Sequence, residues 1–187
     1  MKKSKKINNI LVGVCGGIAS YKICELVRTL VKHKFSVKVM MTEAAARFVT
    51  PLVFQNLSAN PVYQDMFMLL QETAVQHVSL AQWADICVIA PCSANTLAKI
   101  ATGISDNLLT TVVCALDQKT PVIIVPAMNK NMWQNPIIQD KVKILRQLKN
   151  YTVMNPAEGE LACGDYGQGR MPEAEEIFAI IQSRLKR

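Results

Sequence analysis

Aromatic residues are scarce in this chain, at 6% of 187 positions, and no recognised nucleic-acid motif accompanies its basic residues. Proteins that grip exposed bases stack them on aromatic rings set among lysines and arginines, so nucleic acid is not the expected partner. Histidine is scarcer still: His33 and His77 are the only two, and neither has metal-ligand spacing. The six cysteines, at positions 15, 24, 87, 92, 114 and 163, contain no C-x-x-C pair, so no zinc site is expected. Nor is a disulfide framework. Cys87 lies within an apolar run and Cys114 borders another, which marks both as small core residues and the thiols as those of a reduced, cytoplasmic protein. No unbroken apolar stretch approaches the roughly 18 residues of a membrane-spanning helix.

What the chain has in quantity is material for a core. Half its residues are hydrophobic and 19% are charged, which fits one globular domain over residues 7–187 behind a basic tail at 1–6. The formal charge is +7, and Lys2, Lys3, Lys5 and Lys6 supply four of those charges in what reads as a solvated tail. The modest positive balance that remains suits an anionic small molecule such as a phosphate ester. The tail and the apolar run that follows it imitate a signal peptide. That run is short, broken by Gly13, Gly16 and Gly17, and leads into an amphipathic pattern, so it reads as a buried strand and its turn.

Four short runs rich in β-branched residues, Ile7 to Val14, Phe35 to Met41, Asp85 to Ala90 and Pro121 to Val125, are hydrophobic almost throughout. That pattern predicts strands covered on both faces of a parallel sheet, and a weaker run at Tyr151 to Met154 adds a fifth. Ile23, Leu26, Val27, Leu30 and Val31 recur at three- and four-residue steps, which predicts a helix with Ser20 as its N-cap. Further helices are expected over 43–57, 76–83, 93–103, 106–116, 137–150 and 172–185. Strand and helix in alternation imply crossover connections and a three-layer α/β/α sandwich.

After each strand comes a cluster of small or polar residues: Gly16-Gly17-Ile18-Ala19-Ser20, Thr42-Glu43-Ala44-Ala45, Pro91-Cys92-Ser93-Ala94-Asn95-Thr96 and Pro126-Ala127-Met128-Asn129. In an open parallel sheet the carboxyl ends of the strands share one edge, so these loops should converge on one ligand site. Small residues admit close backbone approach, and helix amino ends offer N–H groups to an anion. The first turn lacks the G-x-G-x-x-G of dinucleotide sites and no G-x-x-x-x-G-K-[ST] is present, which favours a mononucleotide. Met128 and Met132 can pack against a flat ring, although methionine at such spacing is more often core.

Cys163 sits among three glycines, at 164, 167 and 169, with Asp165, Arg170 and Glu173 close by in sequence. A thiol in a turning, charged segment is expected on a flap near 157–173 that closes over a substrate.

Taken together, Gly16-Gly17-Ile18-Ala19, the stretch from His77 to Asp85, Pro91-Cys92-Ser93-Ala94-Asn95-Thr96, the run from Pro126 to Trp133 and Ala162-Cys163-Gly164 resemble the flavin-containing cysteine decarboxylases. The resemblance spans about residues 7 to 180. It implies a Rossmann-like or flavodoxin-like α/β fold, FMN as cofactor, and a homo-oligomer, a trimer or a dodecamer built from trimers, with the site at the subunit interface. The implied reaction is decarboxylation of 4'-phospho-N-pantothenoylcysteine to 4'-phosphopantetheine in coenzyme A biosynthesis. It proceeds by flavin oxidation to a thioaldehyde, loss of carbon dioxide and reduction of the enethiol. A peptidyl-cysteine substrate, a prenyl-flavin synthase relative and a non-catalytic regulatory relative are the alternatives. The resemblance leaves open a stand-alone enzyme or part of a decarboxylase–ligase fusion.

By the same resemblance, His77 is the base of the oxidation and Cys163 the proton donor of the final reduction. Asn129 binds the substrate carboxylate, and Ala162 and Gly164 flank Cys163 against the substrate. FMN is held by Gly17, Ile18, Ala19, Thr42, Ser93, Ala94, Asn95, Thr96, Ala127 and Met128. Two positions depart from the family pattern: Cys15 stands where threonine is usual and Cys92 where alanine is, which places two extra thiols near the flavin.

Overall fold

The computed structural model describes residues 8–67, 75–160 and 166–185, with the side chain of Glu160 excepted. Six strands form one parallel sheet: β1 (Asn9–Val14), β2 (Ser36–Met41), β3 (Val62–Tyr63), β4 (Ile86–Cys92), β5 (Val122–Pro126) and β6 (Tyr151–Val153). Their order across the sheet is β3-β2-β1-β4-β5-β6. The chain therefore winds outward in one direction from β1 and in the other from β4, and the reversal between these two strands opens a crevice at their carboxyl ends. The expected α/β architecture with a parallel sheet is the one observed.

Helices cover both faces. The first face is packed by α1 (Ile23–Lys32), α2 (Pro51–Ser58) and α8 (Ala174–Leu185), and the second by α3 (Gln76–Trp83), α4 (Ala94–Thr102), α5 (Leu108–Ala115) and α7 (Pro136–Gln147). Strand periodicity divides the core: Ile10, Val12 and Val14 of β1 join the first cluster, whereas Leu11 and Cys15 join the second. On α1 the helical period does the same work, placing Ile23, Leu26, Val27 and Leu30 on a single fully buried stripe. Burying each such side chain contributes about 1.5–3 kcal/mol, so this stripe rather than helix propensity holds α1 in place.

Several expectations need correction. Ser20 does not cap α1: it lies in a 3-10 turn, Ile18–Lys22, and its hydroxyl donates to the carbonyls of Cys15 (2.9 Å) and Gly17 (2.6 Å). The single helix expected over 43–57 is a 3-10 turn, Ala45–Arg47, followed by α2, which begins at Pro51. Proline holds the preceding residue in extended backbone, and Thr50 has ψ 146. Cys114, expected in the core, is exposed on α5, while Val112 and Val113 beside it are buried. The sequence pattern also missed the two-residue β3, the short α6 (Lys130–Gln134), and a hairpin of β7 (Ala157–Glu160) and β8 (Tyr166–Arg170). That hairpin forms a separate antiparallel sheet within the segment expected to be a flap. Among the described residues no helix is long and apolar enough to cross a membrane.

Candidate functional site

Beyond the carboxyl ends of β1, β4 and β5 lies a cavity of about 690 Å³, within the usual range for small-molecule sites. Three loops build its walls. Gly16 to Ala19 follow β1, Ser93 and Ala94 open α4, and Ala127 to Asn129 follow β5. Ser93 is the N-cap of α4: its Oγ accepts the N–H of Thr96 at 3.3 Å, and its backbone turns from extended into helical conformation at the cavity's edge. The amino end of α4 is thus presented to the cavity, where the helix dipole favours negative charge. Ala127 and Met128 supply an apolar wall opposite. Asn129 caps α6, and its Oδ1 accepts the N–H of Asn131 at 2.8 Å, which fixes the orientation of its amide.

The fourth wall is the end of the hairpin, Gly169 and Arg170, with Met171 just after it. Gly169 is held to the β5 loop by the N–H of Met128, which donates to its carbonyl at 3.0 Å. The approach is so close that a Cβ on Gly169 would lie 2.3 Å from the Met128 carbonyl oxygen, so only glycine fits. Trp133 of α6 adds a second tie, its indole N–H donating to Gln168 Oε1 at 3.2 Å.

A small ion cluster closes the cavity's rim. Lys22 Nζ lies 2.8 Å from Glu173 Oε1, and Arg170 Nη2 lies 2.5 Å from the same oxygen. The hydrogen bond from Lys22, reinforced by Arg170, holds the Glu173 carboxyl below its ordinary range. Two cations thus share one carboxylate at the rim, and Glu176 accepts the Glu173 N–H beside it at 3.1 Å.

Of the residues expected at the site, Gly17, Ile18, Ala19, Ser93, Ala94, Ala127, Met128 and Asn129 line the cavity. Three expected cofactor contacts stand off its wall. Thr42 caps the 3-10 turn after β2, its Oγ1 accepting the N–H of Ala45 at 3.2 Å. Asn95 is exposed on the first turn of α4, and Thr96 is buried with its hydroxyl 3.2 Å from Ser93 Oγ. His77, half-buried in the first turn of α3, is likewise not on the wall. Ala162, Cys163 and Gly164 lie outside the described residues. The expectations made no mention of Lys22 in the wall. A lysine one helical turn beyond a glycine pair was the available signal.

The chain matches the Flavoprotein family over residues 1–186. It is 44% identical over 177 residues to the coenzyme A biosynthesis bifunctional protein CoaBC of Bacillus subtilis, a match that covers 95% of this chain and 43% of that protein. The chain thus spans less than half the length of that bifunctional relative. It is also 40% identical over 176 residues to the probable phosphopantothenoylcysteine decarboxylase of Streptococcus mutans, covering 94% of this chain and 98% of that one. Among solved structures, it superposes with a TM-score of 0.86 on a PPC decarboxylase mutant complexed with pantothenoylaminoethenethiol, at 31% identity, covering 97% of this chain and all of that one. The FMN binding protein AtHal3 gives a TM-score of 0.81 at 33% identity, covering 95% and 96% of the two chains. By these matches, nearly end to end, the chain belongs to the Flavoprotein family.

Proposed function

We propose that this chain is an FMN-dependent phosphopantothenoylcysteine decarboxylase, converting 4'-phospho-N-pantothenoylcysteine to 4'-phosphopantetheine. The observation that carries the reading is the convergence of three loops distant in sequence, 16–19, 93–94 and 127–129, on one cavity. The cavity fits a flavin mononucleotide in size and in polarity, with a helix amino end at Ser93 for a phosphate and flat apolar surface at Ala127 and Met128 for a ring. Bound there, FMN would supply two-electron oxidation of the cysteinyl unit and return the electrons after decarboxylation.

The chain's own residues would do the rest. Asn129, with its amide fixed by Asn131, would hold the substrate carboxylate through a neutral donor, which binds that group without stabilising it as strongly as a cation would. Lys22 and Arg170, the cations on the cavity lining, are suited to meet a phosphorylated substrate. Imidazole at His77 would accept a proton in the oxidation. Cys163 Sγ would return a proton in the final reduction.

His77 lies off the cavity wall, and this supports an oligomer, a trimer or a dodecamer of trimers, in which a second copy completes the site. Exposed apolar side chains flank both regions: Val75 and Val78 beside His77, and Ile18 and Tyr21 at the cavity. A cytoplasmic setting belongs to the same reading, in keeping with the free thiols at 15, 24, 87, 92 and 114.

The decisive experiment incubates the purified protein with phosphopantothenoylcysteine and follows carbon dioxide and phosphopantetheine by mass spectrometry. Turnover is expected. No turnover, with activity on a peptide ending in cysteine, would overturn the assignment in favour of a peptidyl-cysteine decarboxylase. A purified protein lacking a flavin spectrum would sink both.

A further inference from the structure

Cys15 directly follows β1 and Cys92 ends β4, the two strands at whose carboxyl edge the sheet reverses direction. In a parallel ladder, an N–H reaches the carbonyl of the residue just before its lateral partner. The Cys15 N–H donates to the Pro91 carbonyl at 3.2 Å, so Cys15 sits directly beside Cys92. The register agrees. Gly13 pairs with Ile89, and against β5 on its other side β4 pairs Ile89 with Ile124 but Cys92 with Pro126, so β4 carries one extra residue between 89 and 92, in keeping with 92 rather than 91 lying beside 15. Both side chains project into the same core cluster, and both residues are at most 1% exposed. Neighbouring strands lie about 4.8 Å apart, inside the Cα separation of roughly 4.4–6.8 Å that a disulfide spans. We propose that Cys15 and Cys92 form a redox-sensitive pair, whose oxidation to a disulfide joins two walls of the flavin cavity and loosens the cofactor.

The consequence for the cavity follows from the chain. The residue after Cys15 is Gly16 and the residue after Cys92 is Ser93, and both line the wall. An unstrained disulfide brings its two Cβ atoms to about 3.8 Å, closer than the spacing of parallel strands, so the bond draws the two turns together. Ser93 caps α4 through its backbone position and hydroxyl, and a shift there moves the helix amino end that faces the ligand.

The two thiols are not equivalent. Hydrogen bonding from Cys92, with help from Thr96 and Ser93, lowers the Cys15 thiol against the opposing effect of burial, whereas burial pushes Cys92 well up. Because the two sulfurs are adjacent, whichever is oxidised first has the other in place to resolve it. With hydrogen peroxide as oxidant, one of the two sulfurs attacks a peroxide oxygen, the O–O bond breaks, and a sulfenic acid and one water form. The second sulfur then attacks the first, the S–O bond breaks, and the disulfide and a second water form. Two thiols lose two electrons and two protons, and peroxide is reduced to two waters.

The test exposes the flavin-loaded protein to hydrogen peroxide, then reads non-reducing peptide maps and the flavin retained through a desalting column. These readouts do not depend on which substrate the enzyme takes. The expected result is a linked Cys15–Cys92 peptide, loss of at least half of the retained flavin, and recovery of flavin binding after dithiothreitol and added FMN. Cys92→Ala should keep its flavin under the same exposure, which separates this pair from oxidation of Cys163. The proposal is overturned by absence of the linked peptide, by full flavin retention despite it, or by equal flavin loss in Cys92→Ala.

Discussion

The two edges of the sheet carry hollows of similar size and opposite chemistry. The carboxyl edge holds the cavity of about 690 Å³, and the amino edge holds a second of about 590 Å³ among Gly103, Leu116, Leu148 and Tyr151. At the first, α4 presents its capped amino end. At the second, α4, α5 and α7 all terminate, so their carbonyl ends lie there, with Lys149 the cation on its wall. Chain direction alone produces this difference. Each crossover leaves a strand at the carboxyl edge and must return to the amino edge before the next strand, so its first helix begins at one edge and its last ends at the other. Volume does not distinguish a phosphate site; helix polarity does.

Glycine substitutions offer the largest test of that contrast. A Cβ on Gly16 would lie 2.6 Å from Ala44 Cβ and 2.9 Å from its carbonyl carbon, so Gly16→Ala must displace the turn that lines the cavity. We expect at least a tenfold loss of flavin affinity, measured by quenching of FMN fluorescence. Gly103 at the amino edge has open space around it but a φ of +75. Gly103→Ala should therefore cost about 1 kcal/mol of unfolding free energy from backbone strain and leave flavin affinity unchanged. Equal flavin loss in both variants would erase the distinction between the edges.

A subtler comparison uses two N-caps. Ser93 accepts the Thr96 N–H at 3.3 Å, and Asn107 accepts the Thr110 N–H at 3.1 Å. Removing either side chain to alanine should destabilise its helix by about 1 kcal/mol in urea denaturation. Only Ser93→Ala should weaken flavin binding as well, by several-fold in the same fluorescence titration. If Asn107→Ala weakens it as much, the cavity senses general helix stability rather than the local amino end.

Acid should act on the carboxyl edge through Glu173. Its folded carboxyl is held below the ordinary value of 4.5 by Lys22 and Arg170. A carboxyl lowered on folding contributes stability above its unfolded pKa, and that contribution fades as pH falls through the folded value. The side chain is 47% exposed, so solvent screening keeps the effect small. Thermal midpoints of the wild type and Glu173→Gln should differ slightly at pH 6 and converge as the pH falls below 4.5 and through the lowered folded value. A difference that persists in acid would remove the ion cluster as its cause.

What the sequence made legible follows from where the determining contacts are. The central strands β1, β4 and β5 are buried on both faces, so their apolar runs announce them without knowledge of the partner strands. The hairpin did not announce itself. Ala157–Glu160 and Tyr166–Arg170 are rich in glycine and charge, and their pairing rests on contacts with α6 and the β5 loop. The loops of the cavity were readable because each carries small residues beside its own strand. Lys22 and Glu173 were not paired in advance, since 151 positions separate them and no local pattern links them.

Cys114 provides the smallest effect and the sharpest check on that lesson. Its place beside an apolar run suggested core, yet on a helix the neighbours in sequence face different ways: Val112 and Val113 are buried and Cys114 faces out at the rim of the amino-edge hollow. An exposed thiol with no packing role should tolerate replacement. Cys114→Ser is expected to change unfolding free energy by less than about 0.5 kcal/mol and to leave the flavin titration superimposable on the wild type. A loss of flavin affinity in this variant would mean that the amino edge communicates with the cavity through α5, and the two edges would then have to be treated as one site.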